Sequence, residues 1–373
     1  MSAIWGNNLK VAIFGESHGP AIGVTLTGLP AGIPLDLTEI QCEMQRRAPG
    51  KGPLVTARQE KDIPEIVSGF YQGMTTGTPL CVMIANQNQR SEDYETELDL
   101  PRPGHGDYPG YVRYGGKADP RGGGHFSGRL TAPLVFAGAV CKQILGQYGV
   151  QICAHIQAIQ EVHDLSFAEV IGPKNDLKDI LTEEIIAELS KATLPLLDPT
   201  RKTAMEQSIM KAKTAGDSVG GIIECAILGL AAGIGEPFFD SVESSLAHLL
   251  FSVPGVKGVE FGDGFALAAR LGSQCNDAYY YQNSTIRTHT NHCGGILGGI
   301  TTGMPVIFRT ALRPTASIAQ PQKTVSLKQN REAAITVQGR HDPCIVPRAV
   351  PVIEAVTAIV ILDLLKEQQA CKI

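Results

Sequence analysis

His105 stands between Gly104 and Gly106, in a stretch from Arg102 to Arg129 that carries nine glycines and four arginines in 28 residues. Imidazole titrates near neutrality, so a histidine that no helix or strand packs is a candidate acid. The pattern alone equally allows a simple hydrogen-bonding role. Arginine offers a planar fork that matches phosphate or carboxylate, and glycine lets backbone N–H groups approach an anion closely. Arg90, Arg102, Arg113, Arg121, Arg129 and Lys117 all fall between positions 90 and 129, so the segment reads as a surface for something negatively charged. It has no apolar period and reads as a loop, about 40 residues long when counted from Asn86, a length that is usually functional in a compact domain.

Two further motifs bear on chemistry. Gly15-Glu16-Ser17-His18-Gly19 has the form of a nucleophile elbow, which requires a strand before it and a helix directly after. Pro20 to Thr27 reads instead as a second strand, which disfavours a serine hydrolase and leaves His18 as a turn histidine. Asp342, in Gly339-Arg340-His341-Asp342-Pro343-Cys344, reads first as a helix-entry or Asx-turn aspartate.

The elements that would position these residues are legible in outline. Residues 8 to 14 and 22 to 27 read as strands, and Leu37 to Arg47 as a helix with Asp36 as N-cap and Glu39 completing a capping box. That helix ends in Arg46-Arg47, two cations turned toward whatever lies beyond. Thr131 to Tyr148 reads as a buried helix with Pro133 in its first turn, its positive end facing the glycine loop. Residues 172 to 216 read as a charged helical insertion on the surface, and a long helix is expected from about 350 to 368.

The chain also repeats itself. Leu26 to Ile33 matches Ile227 to Ile234 at five of eight positions, and Gly73 to Cys81 matches Gly299 to Ile307 at five of nine, in the same order. Asp240 and Glu243 then repeat Asp36 and Glu39. These matches imply one domain over 1–373, with halves of about 8–150 and 217–345 packed about a pseudo-two-fold.

Composition bounds the rest. At 373 residues, 43% hydrophobic and 18% charged, the chain is globular, and a net charge of −5 gives no electrostatic support to a nucleic-acid partner. The nine cysteines are odd in number and include no C-x-x-C pair, which argues against a zinc or redox motif and for a reducing compartment. No apolar run approaches a membrane span, so a cytoplasmic protein is expected.

Taken in order, GESHG at 15 to 19, RRAPG at 46 to 50, RPGHGD at 102 to 107, RGGG at 121 to 124, GDG at 262 to 264, GGILGGITTG at 294 to 303 and GRHDPC at 339 to 344 resemble the signature segments of the chorismate synthase family. The resemblance spans essentially the whole chain. It implies an α/β (α+β) fold, a β-α-β sandwich with long Gly/Arg-rich active-site loops, assembled as a homotetramer. It implies conversion of 5-enolpyruvylshikimate 3-phosphate to chorismate and phosphate by 1,4-elimination, with reduced FMN as cofactor and no net redox change. NADPH enters only as a flavin reductant, and since no reductase domain is left over, an external reductant is expected.

By matching motif, His18 and His105 resemble the family's two acid histidines, and Asp342 the aspartate that assists ring proton removal. Arg47, Arg102, Arg129 and Arg340 would hold substrate anions, Arg340 also lying next to FMN. The FMN segments would be His125, Phe126 and Ser127, then Gly298, then Arg313, Pro314, Thr315, Ala316 and Ser317. The chain departs from the family pattern at His125-Phe126, at Pro53, at Arg313 in place of lysine, and at Pro254-Gly255, which on that ground is left out of the site. Two other functions compete: a serine hydrolase at the GESHG turn, and a non-catalytic anion-binding module.

Overall fold

The computed structural model describes residues 3–49, 52, 54, 60–87, 99–171, 177–337 and 341–371. Its architecture is a helical layer held between two five-stranded antiparallel sheets. The first sheet uses β1 (Ile4–Trp5), β2 (Lys10–Gly15), β3 (Ala21–Thr27), β4 (Glu65–Ser68) and β5 (Leu80–Ala85), in the order β1-β2-β3-β5-β4. The second uses β6 (Gln151–Ile159), β7 (Val162–His163), β8 (Gly221–Leu228), β9 (Val256–Phe261) and β10 (Val306–Leu312), in the order β7-β6-β8-β10-β9. Between them lie α1 (Leu37–Arg47), α3 (Thr131–Gly146), α4 (Val242–Leu250) and α5 (Val346–Cys371), while a short α2 (Asp107–Arg113) sits in the glycine-rich segment.

Patterning explains the layers. Along β5, Leu80, Val82 and Ile84 are buried while Cys81, Met83 and Ala85 are not, the alternation of a sheet with one face on the core. The run Ile152 to Ile159 on β6 is buried throughout, because the second sheet is covered on both faces. One face meets the central helices, and the other meets Phe167, Leu177, Leu181 and Leu189 of the insertion. Helix α3, TAPLVFAGAVCKQILG, is apolar nearly all round and is accordingly central. Burying Val135, Phe136, Val140, Ile144 and Leu145 contributes about 1.5–3 kcal/mol each relative to exposure. Gly138 lets α3 and α5 approach closely, since a Cβ there would lie 2.3 Å from the Ala355 Cα.

The two sheets share one topology: β2-β3-β5-β4 and β6-β8-β10-β9 run in the same relative chain order, with α1 after β3 and α4 after β8. Matched residues make matched bonds. Thr75 Oγ1 donates to the Pro30 carbonyl (2.6 Å) and accepts from Ile33 N–H (3.0 Å), while Thr301 Oγ1 donates to Ala231 (2.7 Å) and accepts from Ile234 N–H (3.0 Å).

Local expectations meet several corrections. Asp36 caps α1, accepting from Thr38 and Glu39 N–H at 2.8 and 3.1 Å. The reciprocal bond comes from Gln143 on α3, whose Oε1 takes the Asp36 N–H at 3.0 Å, rather than from Glu39. In the second half Ser241, not Asp240, is the N-cap, its hydroxyl reaching Ser244 N–H at 3.0 Å. The stretch 102–129, expected to be a loop, contains α2 and two 3-10 turns, Arg121–Phe126 and Gly128–Leu130. Its helix is held from outside: a Cβ on Gly110 would lie 2.6 Å from the Phe126 ring. Helix α5 starts at Val346, earlier than expected, with Pro351 inside it.

A buried ion-pair network fastens the central layer. Glu354 on α5 meets Arg46 of α1 and Lys142 of α3, each at 2.6 Å, and its other oxygen accepts from Ala154 N–H of β6 at 3.0 Å. Near its far end α5 presents Asp363, which accepts from the backbone N–H groups of Asn7, Asn8 and Leu9 at 3.1, 2.7 and 2.6 Å. The chain's last helix thereby holds the start of its first long strand.

Candidate active site

A cleft opens where α1 ends and where α3 and α5 begin. Two helix N-termini at one cavity favour negative charge. Arg46 and Arg47 part company here: Arg46 turns into the ion-pair network, and Arg47 turns to the cleft. Arg47 Nη2 lies 2.6 Å from Asp62, and Arg129 pairs with the other oxygen of the same carboxylate. Burial alone would raise the Asp62 carboxyl, but Arg47 and Arg129 outweigh it and hold it below the usual range. Arg129 is further fixed by Asn86 Oδ1 at 3.0 Å, and Asn86 in turn donates to the Glu16 and Gly19 carbonyls. Among the described residues two buried N–H donors of this cleft form no hydrogen bond, Arg47 Nε and Arg129 Nη2, the latter 3.9 Å from Glu60. Buried donors are expected to be satisfied, so the pair suits an anionic ligand.

The second wall is the glycine-rich segment. Arg102 donates to Asp107 through Nε and Nη2, each at 2.8 Å, and His105 Nδ1 lies 2.6 Å from the same carboxylate. Burial would raise the Asp107 carboxyl, yet Arg102 and His105 hold it far below the usual range. The turn Gly122–Gly124, all at positive φ, carries the two histidines. A Cβ on Gly122 would meet the His18 ring at 2.5 Å, and one on Gly123 would meet His105 at 3.1 Å. Only glycine admits both contacts with that backbone.

The third wall comes from the second half. Val253, Pro254 and Gly255 line the cavity beside Arg313 to Ser317. The Arg313 guanidinium lies over Gly104, 3.0 Å from where a Cβ would stand. Thr315 Oγ1 is buried without a hydrogen-bond partner among the described residues. Asp342 pairs with Arg348 of α5, whose Nε donates to the Arg47 carbonyl at 3.0 Å, so the start of α5 is tied to the end of α1.

The residues singled out from sequence fall as follows. Arg47, Arg102, His105, Phe126, Ser127, Arg129, Arg313, Pro314, Thr315, Ala316, Ser317 and Asp342 all line this one cavity. His18 is buried behind Gly122, one layer back. His125 turns aside, its Nδ1 3.0 Å from the Gly15 carbonyl. Gly298 turns the hairpin Ile296–Leu297/Ile300–Thr301 and is not among the lining residues. Arg340 lies outside the described residues. Pro254-Gly255, left out of the site on its departure from the family pattern, belongs to its wall. Backbone position, not side-chain type, brings it there.

Sequence reasoning also missed Glu60, Asp62, Asp107 and Arg348. Asp107 sits within RPGHGD and could have been found from its two-residue spacing to His105; Asp62 and Arg348 carry no local signal. Ser17 is buried in the turn between antiparallel β2 and β3, with no helix after it, so the elbow geometry of a serine hydrolase is absent. Among the described residues no helix is long and apolar enough to cross a membrane, and no cluster could hold a metal ion.

Comparison with known proteins follows the same line. The family model for chorismate synthase matches residues 9–365. Chorismate synthase of Methanocella arvoryzae is 45% identical over 359 residues, covering 96% of this chain and 93% of its own length. The Pyrococcus abyssi enzyme of that name is 45% identical, covering 96% of each chain. A crystal structure of chorismate synthase superposes with a TM-score of 0.74 at 28% identity, over 98% of this chain and 93% of the other.

Proposed function

The chain belongs to the chorismate synthase family of lyases, which converts 5-enolpyruvylshikimate 3-phosphate to chorismate in the shikimate pathway, and on that footing we propose that its cleft performs this elimination with reduced FMN. The observation that carries the reading is the pair of buried donors without a hydrogen bond among the described residues, Arg47 Nε and Arg129 Nη2, in a cavity that Arg102, Arg313 and Arg348 also line. A substrate with one phosphate and two carboxylates matches that set.

The cofactor fits the third wall. Thr315 Oγ1 has no partner, Arg313 stands beside it, and Phe126, Pro254, Pro314 and Ala316 offer apolar surface, the mixture that a flavin ring with a phosphate tail calls for. We assign Phe126, Ser127 and Arg313 to Ser317 to FMN, with Arg340; His125 and Gly298 are assigned to it by the family pattern alone, since neither lines this cavity. Bound there, reduced FMN supplies electron density to the breaking carbon–oxygen bond and takes it back.

The protein's own groups carry the protons. His105, which lines the cavity, donates to the leaving phosphate oxygen. His18, behind Gly122, is the second proton donor, the one that by the family pattern would protonate the flavin. Asp342 accepts the ring proton, with Arg348 holding its carboxylate in place. Arg47, Arg102 and Arg129 hold the substrate's anions and exclude water from the floor. A homotetramer, an external source of reduced flavin and a cytoplasmic location complete the proposal.

The test is anaerobic turnover of 5-enolpyruvylshikimate 3-phosphate with chemically reduced FMN present or absent, following phosphate and chorismate together. Equal release of both, only with reduced FMN, is the expected result. Flavin binding without either product would leave the anion-binding module as the better account.

A further inference from the structure

His105 has two ring nitrogens, and which one faces the cavity decides what it can do. The structure surrounds Nδ1 unusually fully. Asp107, the first residue of α2, stands two residues on, with Oδ1 at 2.6 Å from Nδ1. That carboxylate is itself held from the far side by three donors of Arg102: the backbone N–H at 3.0 Å and Nε at 2.8 Å on Oδ2, and Nη2 at 2.8 Å on Oδ1. Arg102 Nη2 also lies 3.2 Å from Nδ1, but an ionised carboxylate only accepts, so Nδ1 carries the hydrogen and the arginine serves the carboxylate. The opposite edge of the ring, with Nε2 and Cε1 at 3.2 and 3.1 Å from a Cβ built on Gly123, packs on the glycine turn, and the ring lines the cavity.

We propose that Asp107 is a positioning residue: held by Arg102, it fixes His105 with hydrogen on Nδ1, so that Nε2 alone exchanges protons with the substrate. This rests on the reading that His105 is the acid of the elimination. The charged groups placed against this loop are Arg102 and Asp107 from the loop itself and Arg313 from the facing wall. Of these only Asp107 can accept a hydrogen bond from a ring nitrogen, since the two arginines only donate. Asp107 therefore sets the orientation of the ring.

The variant Asp107→Asn is informative because the carboxylate is so fully used. An amide has one accepting oxygen, and the backbone N–H and Nε of Arg102 claim it at the Oδ2 position. Its NH2 then takes the place of Oδ1, donor facing donor at Nδ1. The hydrogen moves to Nε2.

Two readouts decide the matter. With the full chain labelled at histidine with nitrogen-15, long-range proton–nitrogen spectra report the tautomer of each ring, and His105 is identified by its loss in His105→Gln. Neutral His105 in the wild-type chain is expected to carry hydrogen on Nδ1; hydrogen on Nε2 overturns the proposal. In Asp107→Asn the expected result is hydrogen on Nε2 and a fall in kcat of about 100-fold with KM within about threefold. An unchanged tautomer, or a loss confined to KM and thermal stability, assigns Asp107 to loop structure alone. If the wild-type chain does not turn the substrate over, the proposed reaction fails, while the spectra still decide the role of Asp107.

Discussion

His18 and His105, 87 positions apart, rest on adjacent residues of one turn: His18 against Gly122 and His105 against Gly123. A methyl group would clash at Gly122 and crowd the ring at Gly123, so this turn is where the two candidate proton donors can be disturbed without touching either.

Gly123→Ala should cut turnover sharply. The backbone there has φ of 81°, which costs a non-glycine residue roughly 1–2 kcal/mol, and the methyl would push the His105 ring from the cavity. Gly146→Ala is the control, at an exposed helix position with nothing within 4 Å, where a small gain in stability is expected. Comparing kcat and thermal stability of the two variants checks the claim. Wild-type turnover by Gly123→Ala would remove the turn from the mechanism.

Arg46 and Arg47 should separate into stability and binding. Arg46→Ala strips Glu354 of one partner in a buried network and should cost about 3–5 kcal/mol in chemical denaturation. Arg47→Ala should chiefly raise KM for the phosphate substrate. Similar profiles from the two variants would contradict the division seen at the end of α1.

Acid should attack that same network. Burial opposes the charge on Glu354, but Arg46 and Lys142 outweigh it and bring its carboxyl down to about 2, from 4.5. A depressed carboxylate contributes stability above its unfolded value, and that contribution is lost as pH falls from 4.5 toward 2. Denaturation midpoints across this range should fall more steeply for the wild type than for Glu354→Gln.

His155 predicts the opposite sign. It is fully buried, with Asp164 at 3.2 Å from Nδ1 and Glu224 at 3.0 Å from Nε2. Burial disfavours the imidazolium, but the two carboxylates prevail and raise its pKa above 6.5. The stability it contributes is complete below pH 6.5 and is lost as pH rises through the folded value. Stability measured from pH 6 to 9 should decline in the wild type and flatten in His155→Gln, whereas parallel curves would rule out the buried imidazolium.

Thr315→Val tests the flavin wall. Its hydroxyl is buried and unpartnered, so without ligand the substitution should be neutral to within about 0.5 kcal/mol. If FMN supplies the missing partner, its affinity should weaken about three- to tenfold by fluorescence titration. Equal affinity would take Thr315 out of that wall.

What the sequence determined by itself is what short range controls. The cap at Asp36 and the span Leu37–Arg47 follow from residues within one turn, and the apolar run after Thr131 admits only a buried helix. The two repeated blocks were readable as such because equivalent turns need the same glycines and threonines. RPGHGD held a whole charge cluster in six residues, and the motif order pointed to the family.

Tertiary structure alone decided the pairings. Adjacent Arg46 and Arg47 go to Glu354 and Asp62, 308 and 15 positions away, because successive side chains on a helix point about 100° apart and meet different neighbours. Helix α2 was invisible because its own residues show no period; Phe126 supplies its packing from across the turn. Pro254-Gly255 entered the wall through where the backbone passes, which residue type does not encode. Local spacing sets elements and turns, but which buried charge meets which is settled only when the two sheets close on the helices between them.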